Sequence, residues 1–245
     1  MTIEDKQKLA FFIGLAGDYL TSGYNSGEKE YHFNTSSESD DTSFNVSHNN
    51  ASQNTDTLDK IAEEISTCQN CVLAKTRKNT VPGEGVTDPL VMVIGEGPGA
   101  DEDKQGRPFV GNAGQLLDKM LASINLSRTT NCFIANVVKC RPPNNRDPHP
   151  DERSACAHFL RRQIAFLKPK YILLVGRVAS QSVLNVKESI EKLHGKFLDY
   201  NSGDMTIPLM ITYHPSALLH NEDYKRPAWE DLKLFKSRID SEQAL

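Results

Sequence analysis

The sequence predicts an α/β protein, a three-layer α/β/α body around a central four-stranded parallel sheet. Short apolar runs recur at about residues 90–94, 131–138, 171–175 and 208–213 and read as strands. Helical patterns lie between or after them at about 112–125, 151–167, 177–186 and 227–240. Strands that alternate with helices build a parallel sheet covered on both faces. The 38% hydrophobic fraction of the 245 residues is low for a wholly packed chain, so part of it is expected to lie outside this body.

Along the chain, residues 1–20 carry an amphipathic helix. Leu9, Phe12, Ile13, Ala16 and Leu20 fall near one face, suited to docking on the body or on a protein partner. The run Leu9–Gly17 is short for a membrane span. The mixed charge of the preceding MTIEDKQK and the lack of a small-x-small cleavage site argue against a signal peptide, so the protein is expected to be cytoplasmic. Residues 21–57 read as a disordered polar linker, because Ser, Thr and Asn supply 19 of these 37 residues. The globular domain is expected over 58–245. It opens with a helix that places Leu58, Ile61, Ala62 and Ile65 on one face and ends at Cys68.

Charge divides the same way. Residues 1–57 hold nine acids and three Lys or Arg, whereas the remainder holds 25 basic and 23 acidic residues. A net charge of −4 thus conceals a mildly basic body, compatible with nucleic acid.

Four of the five cysteines stand where a metal site is plausible. Cys68 and Cys71 form a C-x2-C pair, and Cys140 and Cys156 flank a Pro-rich loop, KCRPPNNR. A C-x2-C turn lets two thiolates face one ion or cluster, and two more would close a tetrathiolate site. Disulfides do not fit a cytoplasmic chain. Spacing by itself leaves zinc and an iron–sulfur cluster both open. Cys132, within an apolar run, reads as a small core residue.

The stretch LVMVIGEGPGADEDKQGRPFVGN, residues 90–112, is the candidate site. Gly95, Gly97 and Gly99 do not make a dinucleotide loop: Pro98 removes a backbone donor, and the acids at 101–103 would repel a pyrophosphate. No phosphate-binding P-loop motif is present. A second glycine-flanked loop presents Phe109. Asn136 interrupts the apolar run FIANVV and must find partners for its amide. His214 follows MITY and opens HPSALLHN.

Taken together, GEGPGADED with GRPFVG, NVVKCRPPNNRDP, HPSALLHN and the order of four cysteines resemble the uracil-DNA glycosylase superfamily, most closely its family 4, the iron–sulfur type. The resemblance covers about residues 58–240. It implies a monomeric DNA-repair enzyme that flips uracil out of single- or double-stranded DNA and hydrolyses its glycosidic bond. Phe109 would stack on the base, and Asn136 would read its Watson–Crick edge. His214 would donate to the developing negative charge on O2, and backbone N–H groups around Gly95 and Gly97 would assist. In the best-known branch of the superfamily an Asp serves the attacking water. Gly97 stands there in this chain, so the resemblance assigns the water to Glu96 and the backbone.

Another branch bonds covalently to uracil through a His in a KRRIH loop. RPPNNRDPHPDERSAC lacks that arrangement, which implies hydrolysis with no adduct. The resemblance further implies a structural 4Fe-4S cluster on Cys68, Cys71, Cys140 and Cys156, with zinc the lesser alternative. Lys139, Arg141 and Arg146 are candidates to meet phosphates, and Ser216, Leu218 and Leu219 would approach the DNA, a leucine wedging into the vacated stack. The competing reading is a non-catalytic, metal-stabilised nucleic-acid-binding module that docks on a replication or repair partner through residues 3–20.

Overall fold

In the computed structural model, residues 56–243 are described. The N-terminal helix and most of the polar linker read from the sequence lie outside the described residues. Helix α1 (Leu58–Thr67) starts where Thr57 accepts the Lys60 N–H, and its Ile61 and Ile65 are buried. A short edge strand β1 (Glu84–Gly85) precedes β2 (Val91–Gly95), which runs into α2 (Ala100–Gln105) and α3 (Asn112–Ala122). Strand β3 (Cys132–Asn136) leads through the Pro-rich loop to α4 (Pro150–Leu167). Strand β4 (Tyr171–Val175) is followed by α5 (Arg177–Leu184) and α6 (Ile190–Leu193). Strands β5 (Phe197–Ser202) and β6 (Met205–Thr212) then form a hairpin, and α7 (Pro215–His220) and α8 (Lys225–Gln243) complete the domain.

The sheet order is β1-β3-β2-β4-β6-β5. The four strands read from the sequence are neighbours and mutually parallel, but the sheet is mixed and six-stranded, which corrects the expected count. Both added strands are antiparallel edges. The β5–β6 register pairs Ser202 with Met205, leaving Gly203 and Asp204 as a two-residue turn with Gly203 at φ 59°. Strand β5 has no fully buried residue, with only Phe197 and Tyr200 half-buried among exposed ones, so it lacks the continuous apolar run that marks the central strands. Pro208 lies where β6 pairs only with β5, and the missing N–H therefore costs no bond to β4.

The period-two alternation of the strands divides the core into two layers. Met92, Ile94, Phe133, Ile172, Leu174 and Leu209 face α1, α4 and α5. Val91, Val93, Ile134, Leu173 and Met210 face α3 and α8. Every residue of β2, β3 and β4 is buried, as expected for parallel strands covered on both faces. Gly95 pairs with Asn136 and Val175 with Thr212, so the C-terminal strand ends are level along one edge. That edge is where an open α/β sheet leaves a crevice. Among the described residues, no helix is long and apolar enough to cross a membrane.

Candidate active site

At this edge a cavity of about 420 Å³ is lined by Asn136 at the end of β3 and by residues of the segments that follow β2, β3, β4 and β6. Glu96, Gly97, Pro98 and Gly99 form one wall. The glycines here are required by close approach. A Cβ on Gly95 would stand 2.5 Å from Phe109 Cζ and 2.6 Å from Asn136 Oδ1. A Cβ on Gly97 would stand 2.8 Å from Val138 Cγ2.

Phe109 lines the cavity and takes a left-handed backbone conformation, φ 52°. That strain, about 1–3 kcal/mol for such a residue, persists only where the surroundings impose it. Here they do. Glu102 Oε1 accepts from the N–H groups of Val110 and Gly111 at 2.8 and 2.9 Å, while its Oε2 accepts the Gly99 N–H at 3.1 Å. One buried carboxylate thus joins the glycine turn, the start of α2 and the aromatic loop. Arg128 donates to the carbonyl oxygens of Pro108 and Phe109 from the other side. Gly114 lets α3 pass beneath: a Cβ there would lie 2.0 Å from the Phe109 carbonyl.

Asn136 ends β3 inside the cavity wall, 1% exposed, and its Oδ1 has no hydrogen-bond partner in the protein. An acceptor in that condition costs about 1–3 kcal/mol until something donates to it. His214 lies opposite, its ring 5.6 Å from that of Phe109. Its Nδ1 accepts the Ser216 N–H at 3.2 Å and meets Ser216 Oγ at 2.7 Å. A nitrogen that accepts a backbone donor carries no proton, so the neutral ring holds its hydrogen on Nε2. Burial pushes the His214 pKa down to about 4, which keeps the ring neutral near pH 7. Burial, reinforced by the Asp147 carboxylate, raises Glu96 to about 7, against the opposing pull of Arg177 and Arg153. Two titratable groups of one cavity are therefore moved apart in the senses that suit a base and a neutral donor.

The three acids after the turn have separate roles. Glu102 is the tie described above. Asp103, also buried, accepts the Lys78 and Asn79 N–H groups at 2.9 and 3.4 Å, and Asp101 is exposed beside Lys104. Glu102 had a sequence signal, an acid three residues after the helix-capping Gly99. Arg128, 19 residues beyond Phe109, had none.

Cys68, Cys71, Cys140 and Cys156 line one small hollow together with Arg77 and Lys139. Arg77 donates to Cys140 Sγ at 3.2 Å and the Lys139 N–H to Cys156 Sγ at 3.3 Å, contacts that favour thiolates. Burial raises both thiols, Cys156 to about 11. Among the described residues, no group of three or more His, Cys, Asp or Glu side chains is close enough to hold a metal ion as it stands. Cys132 is buried in the core, apart from this hollow.

Several expected DNA contacts are revised. Lys139 is fully buried and donates to the Asn136 carbonyl at 2.9 Å and Gln163 Oε1 at 2.7 Å, so it cannot meet a phosphate. Its role is to fix the end of β3. Arg146 is bound through two nitrogens to the fully buried Glu152, at 2.8 and 2.6 Å. Arg141 Nε donates to Asn145 Oδ1 at 2.8 Å. Leu218 is 4% exposed within the core layer shared with α8, and this contradicts a wedging role; Leu219, 50% exposed, remains available. The turn of α7 separates the two faces, a distinction that the pair of leucines in HPSALLHN does not reveal. Ser216 is half-buried against His214, and Gly95 lies behind the wall as a spacer.

The uracil DNA glycosylase superfamily profile matches residues 82–233. A type-4 uracil-DNA glycosylase of Saccharolobus solfataricus is 46% identical over 191 residues, covering 76% of this chain and 88% of the relative. One from Thermotoga maritima is 43% identical over 188 residues, 76% of this chain and 96% of the relative. A type-5 enzyme of Pyrobaculum aerophilum is 30% identical over 154 residues, 56% of this chain and 66% of the relative.

Proposed function

This chain belongs to the uracil DNA glycosylase superfamily, and from that premise we propose that it is a monofunctional uracil-DNA glycosylase. It hydrolyses the bond between uracil and deoxyribose in DNA, releasing free uracil and leaving an abasic site. The observation that carries the reading is the unpartnered Oδ1 of Asn136 in the cavity wall. Uracil offers a donor at N3 and an acceptor at O4, which the Asn136 amide matches by accepting at Oδ1 and donating from Nδ2. Cytosine presents an acceptor at N3 and a donor at C4, and would leave the amide oxygen without a partner.

The reaction follows from the groups around that base. Phe109, held by Glu102 and Arg128, stacks against the flipped ring. As the N1–C1′ bond breaks, its electron pair passes to uracil and negative charge gathers on O2, where the Nε2–H of His214 donates. A neutral donor in a dry site is effective because it needs no reorganisation as charge develops. The sugar becomes cation-like. Ionised Glu96 accepts a proton from the water that attacks C1′, and its charge stabilises the sugar as well. Leu219 fills the space that uracil leaves in the stack.

Cys68, Cys71, Cys140 and Cys156 fit a 4Fe-4S cluster as a structural group: all four line one hollow, and Arg77 and the Lys139 backbone donate to its sulfurs. When bound, the cluster joins the segment after α1, the Pro-rich loop and α4 and carries no step of the reaction.

The test is a labelled oligonucleotide with a single deoxyuridine. The protein is expected to produce alkali-labile breaks at that position, and Asn136→Ala and His214→Ala to suppress them by two or more orders of magnitude. An intact uracil strand after incubation with excess iron-loaded wild-type protein overturns the proposal.

A further inference from the structure

Two cations line the cavity, Arg146 and Arg177, and they are held very differently. Arg146 is committed: both of its terminal nitrogens bind Glu152, which is completely buried and whose Oε2 also accepts the His149 N–H. Withdrawing it would strand a buried carboxylate. Arg177 is not committed. Its partner is Asp147, and the two side chains are 45% and 58% exposed. An ion pair so open to water contributes little net stability and exchanges readily. The second hydrogen bond of Arg177, to Gln181 Oε1 at 3.2 Å, is also exposed.

The position of Arg177 is fixed by the fold. It is the first residue of α5 at the C-terminal end of β4, and Gly176 before it has φ 93°. A Cβ on Gly176 would lie 2.8 Å from His214 Cβ, so only glycine lets this turn approach the histidine so closely. Arg177 therefore begins directly beside the group that faces the base, with its guanidinium at the rim.

We propose that Arg177 is a phosphate-binding residue that exchanges partners: in the free protein it pairs with Asp147, and in the complex it pairs with a backbone phosphate of the uracil-containing strand. Asp147 Oδ2 takes the Arg177 terminal nitrogen that a phosphate oxygen would take, and the other terminal nitrogen rests on the exposed, exchangeable Gln181. The exchange places the nucleotide through its phosphate while Asn136 reads its base. Asp147 withholds Arg177 from other anions until a phosphate displaces it. The proposal rests on the glycosylase reading of the cavity, because that reading brings a DNA strand to this rim.

The test measures binding of the iron-loaded protein to a fluorescent single-stranded oligonucleotide lacking uracil, across a series of KCl concentrations. Wild type, Arg177→Gln, Asp147→Asn and the double variant are compared. One phosphate contact contributes about 0.7 to the slope of log K against log salt for a single strand. Arg177→Gln is expected to lower the slope by about that amount and to weaken binding several-fold at low salt. Asp147→Asn is expected to tighten binding several-fold, and to do so only when Arg177 is present. Equal tightening with and without Arg177 would show a general charge effect and overturn the exchange. An unchanged slope in Arg177→Gln would overturn the contact itself. Uracil release is scored separately, on wild-type protein, so failure of the glycosylase reading and failure of the phosphate contact give different results.

Discussion

Replacing Glu96 with Gln should change both the pH dependence of uracil release and the stability of the fold, in linked ways. The Glu96 carboxyl titrates at about 7 rather than 4.5, mainly through burial and then through Asp147, with Arg177 and Arg153 opposing. A displacement of that size corresponds to about 3 kcal/mol between the protonated and ionised forms. In the folded state Glu96 holds its proton more tightly than in the unfolded chain. Stability is therefore lost as pH rises from about 4.5 through about 7. At pH 8 the wild type bears this penalty in full, and Glu96→Gln, which cannot ionise, should be more stable by up to about 3 kcal/mol. At pH 4.5 the two should unfold alike.

Catalysis runs the other way, because the attacking water needs the ionised form. Single-turnover uracil release should fall about tenfold from its plateau by pH 6. The His214 ring, titrating at about 4, does not contribute to that limb. Asp147→Asn removes a neighbouring negative charge and should shift the limb to lower pH. Glu96→Gln should show a low, flat profile. The assay is rapid-quench release from a single-stranded deoxyuridine oligonucleotide between pH 5.5 and 8.5, paired with urea unfolding at pH 4.5 and 8. A wild-type rate that is flat across this range, together with no gain in stability for Glu96→Gln at pH 8, would refute the assignment of Glu96 as the base.

The close approach of three elements at Gly95 predicts that Gly95→Ala destabilises the domain by about 1–3 kcal/mol through overpacking, read as a lower unfolding midpoint. The new methyl would lie against Phe109 and Asn136. Uracil release should therefore fall further than stability does, by two orders of magnitude or more at a temperature where the variant is folded. For the thiol hollow, anaerobically purified protein should show the broad visible absorbance of an iron–sulfur cluster and contain iron and sulfide. Cys140→Ser should lose the absorbance and unfold at lower temperature, whereas a colourless wild type containing zinc would contradict the cluster.

The set of parts is legible in the residues alone. Continuous apolar runs marked the four central strands, because a strand buried on both faces has no polar alternative. The glycine turn, the Pro-rich loop and HPSALLHN marked the breaks at their ends. Residue type also carried chemistry: an amide in an apolar strand at Asn136, a histidine at a strand end at 214, an aromatic between glycines at 109. Strand β5 was not legible, since an edge strand open to water needs no apolar run, although its two-residue turn through Gly203 was a local signal. Which parts meet, and in what state, depends on packing between segments far apart in the chain. Packing joined Glu102 to backbone amides eight and nine residues away and placed Arg128 beneath Phe109. It buried Lys139 and Leu218, whose surroundings come from distant segments, and left Arg177 and Leu219 at the surface. The opposed pKa shifts of Glu96 and His214 have the same origin: burial and neighbouring charge are properties of the packed cavity, and no local sequence pattern encodes them.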